Sequence, residues 1–111
     1  RGVIRATHGG VSSALASARA RRDDRSYQAI VAHHWRRDDA GLLDAGERFL
    51  HTVEPGDQRS VQVAHLMEPA MLREVVRRSR AGDDASAASI LARYRPLVNR
   101  TLHASTSEVR P

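Results

Sequence analysis

Apolar side chains recur along this sequence every three or four residues, which is the spacing of one face of an α-helix. The clearest stripe places Tyr27, Ile30, Val31 and Trp35 at positions i, i+3, i+4 and i+8. No stretch alternates with the period of two that a half-buried strand requires, so we expect no strands. Aromatic residues make up only 4% of the chain, which favours closely packed helices over a β-sandwich. Further stripes of the same kind occupy residues 11–18, 42–53, 71–76 and 87–94.

Acidic pairs separate several of these stripes. Arg-Arg-Asp-Asp occurs at 21–24 and again at 36–39, and a third Asp-Asp stands at 83–84 after Gly82. Arginine is favourable in the last turn of a helix, and aspartate is favourable at the N-cap of the next. The pairs therefore predict boundaries, with Gly82 as the left-handed residue that ends a helix. The predicted caps are Asp24 or Ser26, then Asp39, then Asp84 or Ser86.

Two prolines predict further boundaries. Pro55 opens a loop after which Asp57 can cap a short helix that ends near Met67. Pro69 suits the first turn of another helix. The sequence therefore predicts an all-α fold, an antiparallel bundle of five or six helices. A shift of 60 residues aligns 23–32 with 83–92, which is consistent with two related helical hairpins.

With 111 residues, the chain has the length of one domain. We expect an irregular N-terminal segment at 1–10, a single helical domain at 11–103 and a flexible tail at 104–111. The chain opens at Arg1 rather than at methionine, so we also expect it to be part of a longer protein.

Composition excludes several kinds of site. The absence of cysteine rules out thiol catalysis, disulfides and cysteine-ligated zinc. All 18 basic residues are arginine, a bias typical of a GC-rich bacterial genome, and the net charge is only +5. No apolar run approaches the length of a membrane span, so we expect a cytoplasmic protein without membrane contact.

Histidines are the strongest candidates for chemistry. Glu47 and His51 stand at i, i+4 and would leave the same face of a helix, as metal ligands must. With His65 they form our predicted ligand set for a divalent metal ion, the alternative being that these histidines are surface residues. Neither a Gly-x-Ser-x-Gly motif nor a phosphate-binding loop is present, so we do not expect an enzyme.

Arginines at 73, 77 and 80 share one helical face. Arg73, Arg77 and Arg80 could follow the phosphates of a nucleic acid, although such a stripe is more often a solvated face. Trp35 lies on a predicted core stripe, so we expect it to be buried and unsuited to base stacking.

Two segments resemble known families. "LREVVRRSRAGDDASAASILARYRPLVNR" (72–100) is similar to the opening helices of bacterial sigma-factor region 2, but the aromatic-rich promoter-melting helix does not follow. "ERFLH" (47–51) resembles the Asp-x-x-Phe-His helix of FCD domains, the all-helical effector domains of GntR-type transcription regulators. That resemblance implies Glu47 and His51 as metal ligands, with His65 as a further one.

Three functions follow as hypotheses. The first is a non-enzymatic regulatory module of a transcription regulator that senses a ligand or metal and forms a homodimer. The second is a helical-repeat adaptor that binds another protein. The third is a nucleic-acid-binding helical domain, with contacts from the arginine stripe or from the rest of a longer chain.

Overall fold

The computed structural model describes the backbone of residues 2–109 and the side chains of residues 11–104. Four helices follow one another: α1 (Gly2–Trp35), α2 (Asp39–Thr52), α3 (Arg59–Arg80) and α4 (Asp84–Val109). Within this part of the chain there is no β-strand. The all-α prediction is confirmed, but the bundle has four helices rather than five or six.

The first missing boundary lies at 21–24, inside α1. Alanines and arginines surround Asp23 and Asp24, both residue types favour a helix, and neither glycine nor proline interrupts the run. Asp23 accepts a hydrogen bond from Arg22 Nη2 at 2.9 Å instead of capping a backbone amide. The prediction that Asp24 or Ser26 begins a helix is therefore wrong.

The second missing boundary lies at Pro69, which is inside α3. Proline removes one backbone hydrogen bond, to the carbonyl four residues earlier, and this loss is mildest where water can replace the bond. Pro69 and His65 are both exposed. Meanwhile Met67 and Ala70 are fully buried on the opposite side, so packing holds the helix together across the proline.

The other two acidic pairs do mark helix starts. Asp38 is the N-cap of α2 and accepts from Gly41 N at 3.0 Å. Asp83 accepts from Ser86 N at 3.0 Å, immediately before α4. Gly82 has a φ of 81°, the left-handed conformation predicted for it. The sequence placed the caps at Asp39 and Asp84, but the preceding aspartate of each pair does the capping.

The core forms where α3 packs between α2 and α4, and the C-terminal part of α1 packs mainly against α2. Ile30 is 0% exposed and Tyr94 is buried, as predicted. Trp35, however, is 77% exposed, so its predicted burial is wrong. The largest fully buried side chains are Ile30, Leu42, Leu43, Val63, Met67, Met71 and Val98.

The structure bears on the predicted hairpin duplication but leaves the predicted domain limits open. The pair at 23–24 is inside a helix whereas the pair at 83–84 begins one, so the two segments differ at the position that should define the repeat. The segments at 1–10 and 104–111 fall within the bounds of α1 and α4, but nearly all their side chains lie outside the described ones. Their separation from a domain at 11–103 stays a prediction.

Candidate interaction surface

The outer side of α3 exposes apolar side chains to solvent. Val63, Met67 and Met71 point into the core from the inner side of this helix. Leu72 and Val76 leave the opposite side and are 46% and 45% exposed. Because they stand four residues apart, they are neighbours on successive turns. They line a shallow depression of about 470 Å³ together with Arg73, Arg77 and Arg80, and we call these five residues the α3 surface.

Two of these arginines bind a buried carboxylate at the start of α2. Asp39 is only 4% exposed. It accepts hydrogen bonds from Arg73 Nη2 at 2.9 Å and from Arg77 Nη2 at 3.1 Å. Burial raises the pKa of Asp39, but the hydrogen bonds from Arg73 and Arg77 outweigh it and hold the pKa below its ordinary value. Asp39 is therefore a carboxylate at neutral pH, and its charge offsets part of the arginine charge.

A second buried carboxylate continues this network toward α4. Glu74 accepts hydrogen bonds from Arg77 and from Arg78 Nε, the latter at 3.1 Å. Arg78 also donates to Ser86 Oγ in the first turn of α4. Three helices are thus joined at one end of the bundle, with no unsatisfied buried polar side-chain atom among the described residues.

The predicted nucleic-acid residues lie together, but they are not equally free. Arg73, Arg77 and Arg80 all line the α3 surface. Only Arg80 has a side chain without a hydrogen bond or ion pair in the described part of the chain. Because Arg73 and Arg77 form ion pairs with Asp39, the net positive charge of the stripe is smaller than the sequence of α3 alone suggests. Nucleic-acid binding by these three residues stays a prediction.

The predicted metal ligands lie on two helices. Glu47 accepts from Arg93 Nη2 of α4 at 2.6 Å, and this hydrogen bond lowers its pKa. His51 on α2 and His65 on α3 are both exposed. Among the residues with described side chains, no group of three or more histidines and carboxylates is arranged to hold a metal ion. The ligand set therefore stays a prediction that the observed geometry does not support.

Trp35 is the residue that sequence reasoning misjudged most. It ends α1, where its ring meets the ring of His34 edge-on at 5.3 Å between centroids. The next two residues, Arg36 and Arg37, are exposed and belong to the turn before α2. The one sequence signal against burial is the run of four charged residues directly after Trp35, because it marks the end of the helix at that residue.

Comparison with known proteins does not identify the chain, since no protein-family model, curated protein or solved structure matches it. None of the helices in the described part is long and apolar enough to cross a membrane. The sigma-factor and FCD resemblances therefore stay predictions.

Proposed function

We propose that this chain is a helical protein-interaction module that associates with a second copy of itself through the α3 surface. The observation that carries the proposal is the pair Leu72 and Val76, exposed side by side on a helix whose other side is core. Covering adjacent apolar side chains removes their surface from water, which is the main favourable contribution to most protein association.

Charges along the same side of α3 suit a second copy. In an antiparallel pairing with its twofold axis at the level of residue 74, Leu72 lies opposite the second copy's Val76. Glu68 and Arg80 are each six residues from that level, so Glu68 of one copy and Arg80 of the other have the same height along the helix axis. Both side chains are exposed and unpaired within the described residues, and a long arginine can reach across the contact.

The size of the surface predicts a weak association. From His65 to Arg80 the exposed side of α3 spans about 22 Å, at about 1.5 Å per residue. A single pair of helices of this length buries less than the roughly 1,200 Å² of a standard stable interface. We therefore expect a monomer–dimer equilibrium that depends on concentration in the micromolar range or above.

Self-association is part of the first functional hypothesis and is compatible with the second. A regulatory module needs it to bring two copies of a longer protein together, and an adaptor can use the same surface to present paired binding sites. Membership of a transcription regulator and the sensing of a ligand are not required by this proposal and stay predictions.

The test is sedimentation equilibrium of the purified chain over a wide concentration range. Val76→Asp should give a monomer at all concentrations, because it places a carboxylate in the centre of the contact. Val11→Asp is the matched control, since Val11 is 57% exposed on α1, away from this surface. Glu68→Arg should weaken the dimer, and adding Arg80→Glu to it should restore association.

Circular dichroism confirms that each variant is folded before its mass is compared. A native chain that is monomeric throughout, or a Val11 variant that dissociates as far as the Val76 variant, would reject the proposal.

A further inference from the structure

A second exposed feature lies at the corner where α1 meets α2. Trp35, the single tryptophan of the chain, is 77% exposed there. Arg36 and Arg37 follow it, and neither side chain makes a hydrogen bond or ion pair within the described residues. We call these three residues the α1–α2 corner. It belongs neither to the core nor to the α3 surface.

The backbone of the corner forms a hydrogen-bonded turn. The turn is closed by hydrogen bonds from Arg37 N to His34 O at 3.1 Å and from Asp38 N to His33 O at 2.9 Å. Arg37 has a φ of 57°, a left-handed conformation that is unfavourable for a residue other than glycine. The turn therefore sets the directions in which the three side chains leave the backbone, while the side chains themselves remain exposed.

Neither nearby carboxylate forms an ion pair with Arg36 or Arg37 among the described residues. Asp38 is engaged by Gly41 N at 3.0 Å and by His33 Nδ1 at 3.0 Å. The Gly41 hydrogen bond and then His33 lower the pKa of Asp38, and the nearby charge of Arg36 contributes a smaller part. Asp39 is buried against arginines of α3. The guanidinium groups of Arg36 and Arg37 therefore remain available to an anionic ligand.

The chemistry of the corner favours a nucleic acid over an acidic protein. A tryptophan that anchors a protein partner usually lies within an apolar patch whose rim excludes water. Trp35 instead has arginines and aspartates as its next neighbours along the chain. An exposed aromatic ring followed directly along the chain by two unpaired arginines matches a nucleotide, which offers a π-face and a phosphate close together.

We propose that the α1–α2 corner binds single-stranded nucleic acid, with a base stacked on the Trp35 indole and adjacent phosphates bound by Arg36 and Arg37. This site is distinct from the stripe of Arg73, Arg77 and Arg80, and it does not depend on dimer formation. Every base has a π-face, so the site should accept different sequences but discriminate against duplexes, whose bases are already stacked.

The experiment is a titration of the native chain with oligothymidylate, followed by the fluorescence of Trp35. Stacking should quench this emission, whereas a polyglutamate peptide of similar charge should leave it nearly unchanged. Affinity is then measured by anisotropy of a labelled oligonucleotide. Trp35→Leu should weaken binding at least about fivefold, and Trp35→Phe should recover part of the loss.

The arginines are tested through salt dependence. Replacing Arg36 and Arg37 by glutamine should make the negative slope of log affinity against log salt shallower by about 1.4, or about 0.7 for each lost phosphate contact on a single strand. The matched control replaces Arg95 and Arg100, two exposed arginines of α4, by glutamine. An equal decrease in this control would show that binding follows net charge alone.

The site would also be rejected by binding without quenching of Trp35, by a Trp35→Leu variant with native affinity, or by an equally strong response to polyglutamate. The last outcome would indicate an acidic protein partner instead.

Discussion

Asp39 allows a sharp test of how the charged network stabilises the bundle, because its carboxylate is buried while its two partners are half exposed. Asp39 is 4% exposed, and the side chains of Arg73 and Arg77 are 51% and 57% exposed. Removing the carboxylate leaves arginines that water can solvate. Removing both arginines leaves a buried charge with neither partner. The second change should therefore destabilise the fold more than the first.

The magnitudes follow from this asymmetry. Asp39→Asn should lower the free energy of unfolding by about 1–2 kcal/mol, near the lower end of the range for charge-assisted hydrogen bonds, because its partners remain hydrated. Arg73→Gln with Arg77→Gln should lower it by about 3 kcal/mol or more, as for a broken buried ion pair. Glu74 keeps Arg78 as a partner in that double variant. Adding Asp39→Asn to the double variant should recover about 1–2 kcal/mol, because the buried charge is gone.

The pH dependence gives an independent readout. In the native chain the pKa of folded Asp39 is lowered, so its stabilisation is present above the unfolded value near 3.8 and is lost as the pH falls through the folded pKa. In the arginine double variant only burial acts, and it raises the folded pKa. That variant should therefore become more stable relative to the native chain as the pH falls toward 4.

Urea denaturation at several pH values measures these quantities at a protein concentration low enough to keep the chain monomeric. A double variant less destabilised than Asp39→Asn, or one not relieved by the third substitution, would refute this reasoning.

Two further predictions concern helix limits and core, and both are measured by urea denaturation. Asp83→Ala should cost about 1 kcal/mol because Asp83 caps α4, whereas Asp24→Ala, inside α1, should change stability by less than about 0.5 kcal/mol. Ile30→Ala should cost about 2–5 kcal/mol because Ile30 is fully buried, whereas Trp35→Ala should lie within about 0.5 kcal/mol of the native chain. Equal effects within either pair would contradict the observed burial and capping.

Sequence patterns predicted the helical class and all three turns between the described helices, because those features depend on local chemistry. Asp38 follows two arginines, Asp83 follows Gly82, and both precede apolar periodicity. Gly82 can adopt a left-handed φ without a steric penalty. The sequence Arg-Arg-Asp-Asp occurs at both 21–24 and 36–39, yet α1 continues through the first of these segments. Helix propensity permits α1 to continue through 21–24, but it does not explain why the same four residues end the helix at 36–39. That difference depends on whether later residues fold back and bury the following stripe.

The predicted helix boundary at Pro69 is wrong for a related reason. The free-energy cost of a proline inside a helix depends on whether the backbone carbonyl that loses its hydrogen bond faces water. The buried side of α3, with Met67 and Ala70, faces away from the proline. Only the packed structure reveals that arrangement.

The candidate surfaces were less predictable than the fold. The sequence placed Arg73, Arg77 and Arg80 on one face correctly, but it could not show that Asp39, more than thirty residues earlier, would pair with two of them. The helical stripe that predicted burial for Ile30 also predicted it for Trp35. The prediction failed there because the end of a helix can extend beyond the elements that pack on it.

The proposed dimer and the proposed nucleic-acid site make a joint prediction, because Asp39 shows where the α1–α2 corner lies relative to the twofold axis of the dimer. Asp39 binds Arg73 and Arg77, which lie on either side of residue 74, so the start of α2 stands near the level of the proposed twofold axis. In the proposed dimer the twofold axis is perpendicular to the plane that contains the two antiparallel α3 helices. Rotation about this axis leaves α2 of both copies on the same side of that plane. Both corners should therefore be reachable by one strand, which raises affinity through effective concentration.

An oligonucleotide long enough to span both corners should bind more weakly to the monomeric Val76→Asp variant than to the native dimer. An oligonucleotide of a few nucleotides should bind both equally, because it occupies only one corner. Anisotropy titrations above the dimer dissociation constant compare the four combinations, with Val11→Asp as the control. If length made no difference between the native chain and the Val76 variant, the corners would have to act separately. The antiparallel arrangement would then be wrong even if each surface binds its own partner.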